Sequence, residues 1–90
     1  MNIWEIAILR SVEYLGGEAN TQDIYRVLEN GRFIELSPND LLKTKWGERP
    51  AYQHQVRSHF SNLVDSGDLI RVSRGEYSLT KEGLNRILKQ

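Results

Sequence analysis

Apolar side chains recur with a helical period at the start of the chain. Ile3, Trp4, Ala7, Ile8, Val12, Tyr14 and Leu15 fall on one half of a 3.6-residue wheel, and Gly16-Gly17 stop the run. Ile6 and Leu9 lie off that stripe, so this helix has more apolar surface than one core face requires. Its back has to be covered, either by the C-terminal helix or by a second subunit in a homodimer formed through the first and last helices.

A second helix follows a cap at Asn20 or Thr21, with Asp23 in its first turn and Ile24, Val27 and Leu28 as its apolar stripe. Asn30-Gly31 ends it. Ser37-Pro38 reads as an N-cap followed by a first-turn proline, opening a short helix through about Lys43. The stretch from Thr44 to Arg49 contains Gly47 and precedes Pro50, which predicts a loop. From Pro50 to about Ser66 the helical signal is strong again: Tyr52, Val56, Phe60, Leu63 and Val64 form one face, and Gly67 is placed to terminate it. After Asp68 the period changes from 3.6 to 2. Leu69-Ile70-Arg71-Val72-Ser73 and Glu76-Tyr77-Ser78-Leu79 flank Arg74-Gly75, the pattern of a hairpin. Thr80 then caps a last amphipathic helix carrying Leu84, Ile87 and Leu88.

Ninety residues suit one domain, spanning 1–90. With 39% hydrophobic and 27% charged residues and no low-complexity run, the composition is that of a folded domain rather than a disordered one. The absence of cysteine excludes a disulfide framework, a thiolate zinc site and a cysteine nucleophile. The early Glu5 and the lack of a basic leader argue against a signal peptide, and no apolar run reaches the roughly 20 residues of a membrane span. The expectation is a soluble cytoplasmic protein with no membrane partner. Formal net charge is zero, but it is unevenly spread. Residues 1–42 carry three basic against seven acidic side chains, a balance of −4, whereas residues 43–90 carry nine against five, a balance of +4. Such a chain can present one basic face while remaining neutral as a whole.

A long helix that is apolar on one side and polar on the other, followed directly by a hairpin, predicts a mostly α domain with a small β-hairpin, a winged helix-turn-helix. The long helix, residues 50–66, would enter the major groove of duplex DNA, and the hairpin, residues 69–79, would be the wing. Opposite Val56 and Phe60 the helix presents Gln53, His54, Arg57, Ser58 and Ser61, groups that donate to base edges or phosphates, and none is acidic. Its acidic residue, Asp65, lies near the end. Arg57 is the first choice for a base-edge contact. Lys45 and Arg49 before the helix and Arg71 and Arg74 in the hairpin are the backbone candidates, with Lys43 nearby. Zero net charge favours a different reading of the same fold, a module that binds other proteins.

The run Leu63-Val64-Asp65-Ser66-Gly67-Asp68-Leu69-Ile70, followed by Arg74-Gly75-Glu76-Tyr77-Ser78-Leu79-Thr80-Lys81-Glu82-Gly83, resembles the N-terminal winged-helix domain of Mrr-type restriction endonucleases. The resemblance implies a DNA-recognition module, either a regulator or the target-recognition part of a restriction system, standing alone or cut from a longer protein. The separate nuclease domain of such enzymes does not fit in 90 residues, so cleavage is not implied.

No enzyme, cofactor or metal site is expected. His54 and His59 are five apart and fall on different helix faces, whereas helical metal pairs prefer spacings of three or four. His59 reads as a packing residue. Gly16-Gly17 and Asn30-Gly31 follow no strand and lack the lysine of a phosphate loop, and the serines have no oxyanion-loop context. Trp4 reads as core, and Trp46 as packing beneath the long helix or stacking on a sugar or base.

Overall fold

A computed structural model describes residues 2–43, 47 and 49–89 of the chain. Every described helix but α4 begins where a short polar side chain takes up an orphan backbone N–H. Asn2 accepts from the Trp4 amide to start α1 (Ile3–Tyr14), and Asn20 accepts from the Asp23 amide to start α2 (Thr21–Glu29). Ser37 and Asp40 cap each other reciprocally at α3 (Pro38–Leu41). Pro50 precedes α4 (Ala51–Asp65), and the Thr80 hydroxyl accepts from the Gly83 amide to open α5 (Lys81–Leu88).

Three strands form one antiparallel sheet in the order β1 (Glu18–Asn20), β3 (Glu76–Leu79), β2 (Leu69–Ser73). Tyr77 lies opposite Ala19 on one side and Arg71 on the other, so β3 is the central strand. The sheet shares a core with the helices: Ala7, Ile8, Leu9 and Val12 of α1, Ile24 and Leu28 of α2, Val56 and Leu63 of α4, Leu69 of β2 and Ile87 of α5. No helix among the described residues is long and apolar enough to cross a membrane.

Several expectations from the apolar pattern are corrected. Strand β1 was not expected, because three residues are too few to show an alternation; its pairing is supplied by β3. On α1 the buried face is rotated from the expected stripe: Leu9 and Ser11 are fully buried, while Ile3 is 64% and Tyr14 52% exposed. The helix is packed by α2, α4, α5 and β3 on different sides, so more of its circumference is interior than a surface helix has. Leu9 therefore belongs to the domain's own core, and α5 supplies one of the two coverings anticipated for this helix. Leu88 at the end of α5 is 70% exposed rather than part of its packed stripe. Helix α3 stops at Leu41 instead of continuing to Lys43. There the chain turns into a neck, with the Ala51 amide donating to the Leu42 carbonyl at 2.7 Å and Lys43 bridging to Pro50.

The base of the hairpin is joined to α4 and α5 at Asp68, which is 1% exposed. Its backbone carbonyl accepts from the Thr80 amide at 3.1 Å and the Thr80 hydroxyl at 2.9 Å. Its carboxylate accepts from the Ser66 hydroxyl at 2.8 Å and from Arg86 Nε at 3.1 Å. Gly83 lies so close that an added Cβ would sit 2.3 Å from the Asp68 carbonyl oxygen and 2.9 Å from Leu79 Cδ1. Gly83→Ala should therefore destabilise the domain by about 1–3 kcal/mol, the usual range for forcing an extra methyl into a packed site. In thermal melting that corresponds to a loss of roughly 4–8 °C per kcal/mol for a domain of this size. Unchanged melting would show that α5 can move off the junction at no cost.

Candidate nucleic-acid interface

Successive residues of an α-helix are turned by about 100°, which divides the surface of α4 into sectors. Tyr52, Val56, Phe60 and Leu63 are buried and define the inward side. Gln53, Arg57 and Ser61 form one flank. His54 and Ser58, both exposed, lie on the ridge opposite the core. His59 lies on the other flank, its Nδ1 2.9 Å from Glu5 Oε2 of α1 with both side chains largely buried, in keeping with a packing role.

The flank carrying Arg57 and Ser61 faces the hairpin across a concavity of about 350 Å³. Four arginines from separate stretches of chain line it: Arg49 before α4, Arg57 on α4, Arg71 on β2 and Arg74 at the hairpin corner. Thr21, Tyr25, Phe60, Ser61, Gly75 and Tyr77 also line it, and no carboxylate is among the described residues of the lining. Its floor is aromatic. Phe60 stacks on Tyr77 with centroids 5.0 Å apart and 16° between planes, and meets Tyr25 edge-on at 6.3 Å. A smaller adjoining concavity, which shares Phe60, Ser61, Arg71 and Tyr77 with it, is also lined by Val64 and Asp65.

The hairpin is held in place over this floor. Gly75 turns the corner with φ +74°, a conformation that favours glycine, and its carbonyl accepts from both the amide and the hydroxyl of Thr21 at 2.9 Å. The corner, and Arg74 with it, is thereby tied to the first residue of α2.

Tyr25 reports the field of the site. Burial raises its phenol above the ordinary value of 10, while the Arg49 and Arg57 cations act in the opposite direction by favouring the phenolate. Tyr52 is raised further, by burial and by its hydrogen bond to Glu29.

The expected site residues thus divide. Arg49, Arg57, Ser61, Arg71 and Arg74 come together in the concavity. Gln53 does not join them, because its Nε2 donates to the Tyr52 hydroxyl at 3.3 Å. His54 and Ser58 stand on the ridge, outside the concavity. Lys45 and Trp46 lie outside the described residues. Lys43 is exposed at the neck of the loop. Thr21, Tyr25 and Tyr77 were missed. For Tyr77 the alternation of the second strand was an available signal, since Tyr77 and Leu79 share a face, whereas the hydrogen bonds of Thr21 depend on tertiary approach.

Comparison with family models, with curated proteins and with solved structures gives no match, so the function has to be inferred from the site itself.

Two titrations check this geometry. Because Arg49 and Arg57 favour the Tyr25 phenolate, Arg49→Gln and Arg57→Gln should each raise the Tyr25 pKa further, read by NMR of the ring carbons. A Tyr25 pKa indifferent to both would place the guanidinium groups elsewhere. Tyr25 and Tyr52 both have folded-state values above the unfolded value of 10. The stability they contribute is therefore fully present below pH 10 and is lost as pH rises beyond it. Urea midpoints measured from pH 8 to 11 should be flat at first and fall above about pH 10.

Proposed function

We propose that this chain is a winged helix-turn-helix module that binds double-stranded DNA, with α4 as the helix that enters the major groove and the hairpin as its wing. The observation that carries this reading is the convergence of Arg49, Arg57, Arg71 and Arg74 on one concave site with no carboxylate among the described residues of its lining. Like charges repel, and a fold has no structural need to gather four of them; a phosphate backbone passing between helix and wing would neutralise them. The order of elements supports the same reading. A helix, a short strand, two helices, a long helix and a hairpin whose second strand pairs back to the first strand place a wing beside the reader helix.

DNA fits better than RNA, because the A-form major groove is too deep and narrow to admit a helix. The resemblance to the N-terminal domain of Mrr-type restriction endonucleases suggests target recognition in a restriction system or transcriptional regulation, without catalysis by this domain. The rival reading, a protein-binding module, draws on zero net charge and on Ile70 and Val72, which are exposed on edge strand β2.

Binding of a random-sequence DNA duplex, followed by fluorescence anisotropy over a range of salt, separates the two. Phosphate contacts give a log–log salt slope of roughly −0.9 per phosphate engaged. The expected wild-type slope is about −2 to −4, and Arg74→Ala should flatten it by about one unit without changing the melting temperature. Arg57→Glu should cost at least roughly 1–3 kcal/mol of binding while shifting stability by less than about 0.5 kcal/mol. Duplex RNA should bind more weakly than DNA. Salt-independent binding, or equal binding by Arg57→Glu, would reject the DNA reading in favour of the protein-binding one.

A further inference from the structure

Resting on that reading, we infer that the concavity between α4 and the hairpin seats a backbone phosphate of the duplex, with Arg57 as part of the phosphate clamp. Base identity is then read by His54 and Ser58 on the ridge of the same helix. This reverses the role first expected for Arg57.

The inference follows from the angular position of each side chain. The major groove of B-DNA is about 12 Å wide, and an α-helix with its side chains is about 10–12 Å across, so a docked helix nearly fills the groove. Its ridge opposite the core then faces the base-pair edges on the floor, and its flanks face the walls, which are phosphates. Relative to Val56, Arg57 is turned by about 100°, and His54 and Ser58 by about 160–200°. Arg57 thus belongs to a wall and the other two to the floor.

The neighbours of Arg57 agree. It shares its concavity with Arg71 and Arg74 of the hairpin and with Arg49, four guanidinium groups without an acidic partner among the described residues of the lining. The hydroxyl of Ser61 borders the same space, whereas that of Thr21 donates to the Gly75 carbonyl. Guanidinium forks and a hydroxyl around a concavity of about 350 Å³ suit a tetrahedral oxyanion. The aromatic floor does not suit an extruded base, because Tyr25 and Phe60 are buried and already engaged with other rings. The ridge itself carries side chains of the kind that hydrogen-bond to base edges. Its acid, Asp65, lies at the last turn of α4, which puts the first two turns, with His54 and Ser58, in the groove.

The experiment is selection from a library of duplex DNA with a randomised centre, using the full chain as wild type, as Arg57→Gln and as the double variant His54→Ala/Ser58→Ala, each first shown to melt like the wild type. The wild type should enrich a motif. Arg57→Gln should enrich the same motif, weaken binding to selected and random duplexes by a similar factor of about 5–10, and flatten the salt slope by about one unit. The double variant should lose preference at one or more motif positions while keeping the wild-type salt slope and affinity for random duplex. The inference is overturned if Arg57→Gln changes the preferred base at a position, or if the double variant enriches the unaltered motif. It is also overturned if the wild type binds duplex DNA with a steep salt dependence but enriches nothing, an outcome that leaves DNA binding intact. Failure of the wild type to bind any duplex overturns both readings together.

Discussion

Asp68 is where α4 and the hairpin, the two walls of the arginine-lined concavity, are joined. It directly follows the turn that ends α4, opens the hairpin, and lies beneath the start of α5. Its amide donates back to Leu63, its carbonyl takes two hydrogen bonds from Thr80, and its carboxylate takes one from Ser66 and one from Arg86. A carboxylate removed from water costs several kcal/mol unless its oxygens are satisfied, so Ser66 and Arg86 are bound to this point by the charge, while Leu63 and Thr80 hold its backbone. The angle between α4 and the hairpin is therefore set by a polar junction, with the apolar core beneath it. Gly83 belongs to the same constraint, since no side chain fits between α5 and the Asp68 carbonyl.

A hairpin fixed only at its base could still swing at its corner. The second attachment, Thr21 to the Gly75 carbonyl, removes that freedom and positions Arg74 before any ligand arrives. Binding a phosphate then carries less ordering cost, because the arginines of helix and hairpin are mounted on elements already held relative to one another. The arrangement has an adverse side: four cations around one concavity repel each other in the free protein. Their exposure keeps that repulsion modest, and an anion between them converts it into attraction.

Much of this was legible in the chain. Helices α2, α4 and α5 follow from apolar period and from their flanking cap, proline or glycine residues, because each buries one regular face, and the hairpin follows from its Arg74-Gly75 corner, although β2 buries only Leu69. The signal failed where tertiary packing outweighs period. On α1, packed against by α2, α4, α5, β1 and β3, Leu9 and Ser11 are interior while Ile3 and Tyr14 are not. Strand β1 is three residues long, and its pairing comes from a strand more than fifty residues later. In the site, residue type was a better guide than residue role. The arginines could be selected as cations, but their meeting in one concavity, and the withdrawal of Gln53 to Tyr52, depend on distances that no local pattern encodes.

Zero net charge is the strongest argument in the sequence against a nucleic-acid partner, and the dimensions of the domain weaken it. Charges in water at physiological salt are screened over about 8 Å. The domain measures 38 × 27 × 21 Å, so carboxylates at its far side lie several screening lengths from the concavity and cancel little of its field. What a phosphate meets at contact is the local sum of four guanidinium groups, whereas the distant acids act mainly on approach and orientation. A neutral domain with a segregated basic site would bind with few phosphate contacts and weak affinity away from its target. That leaves proportionately more of the discrimination to the side chains on the helix ridge.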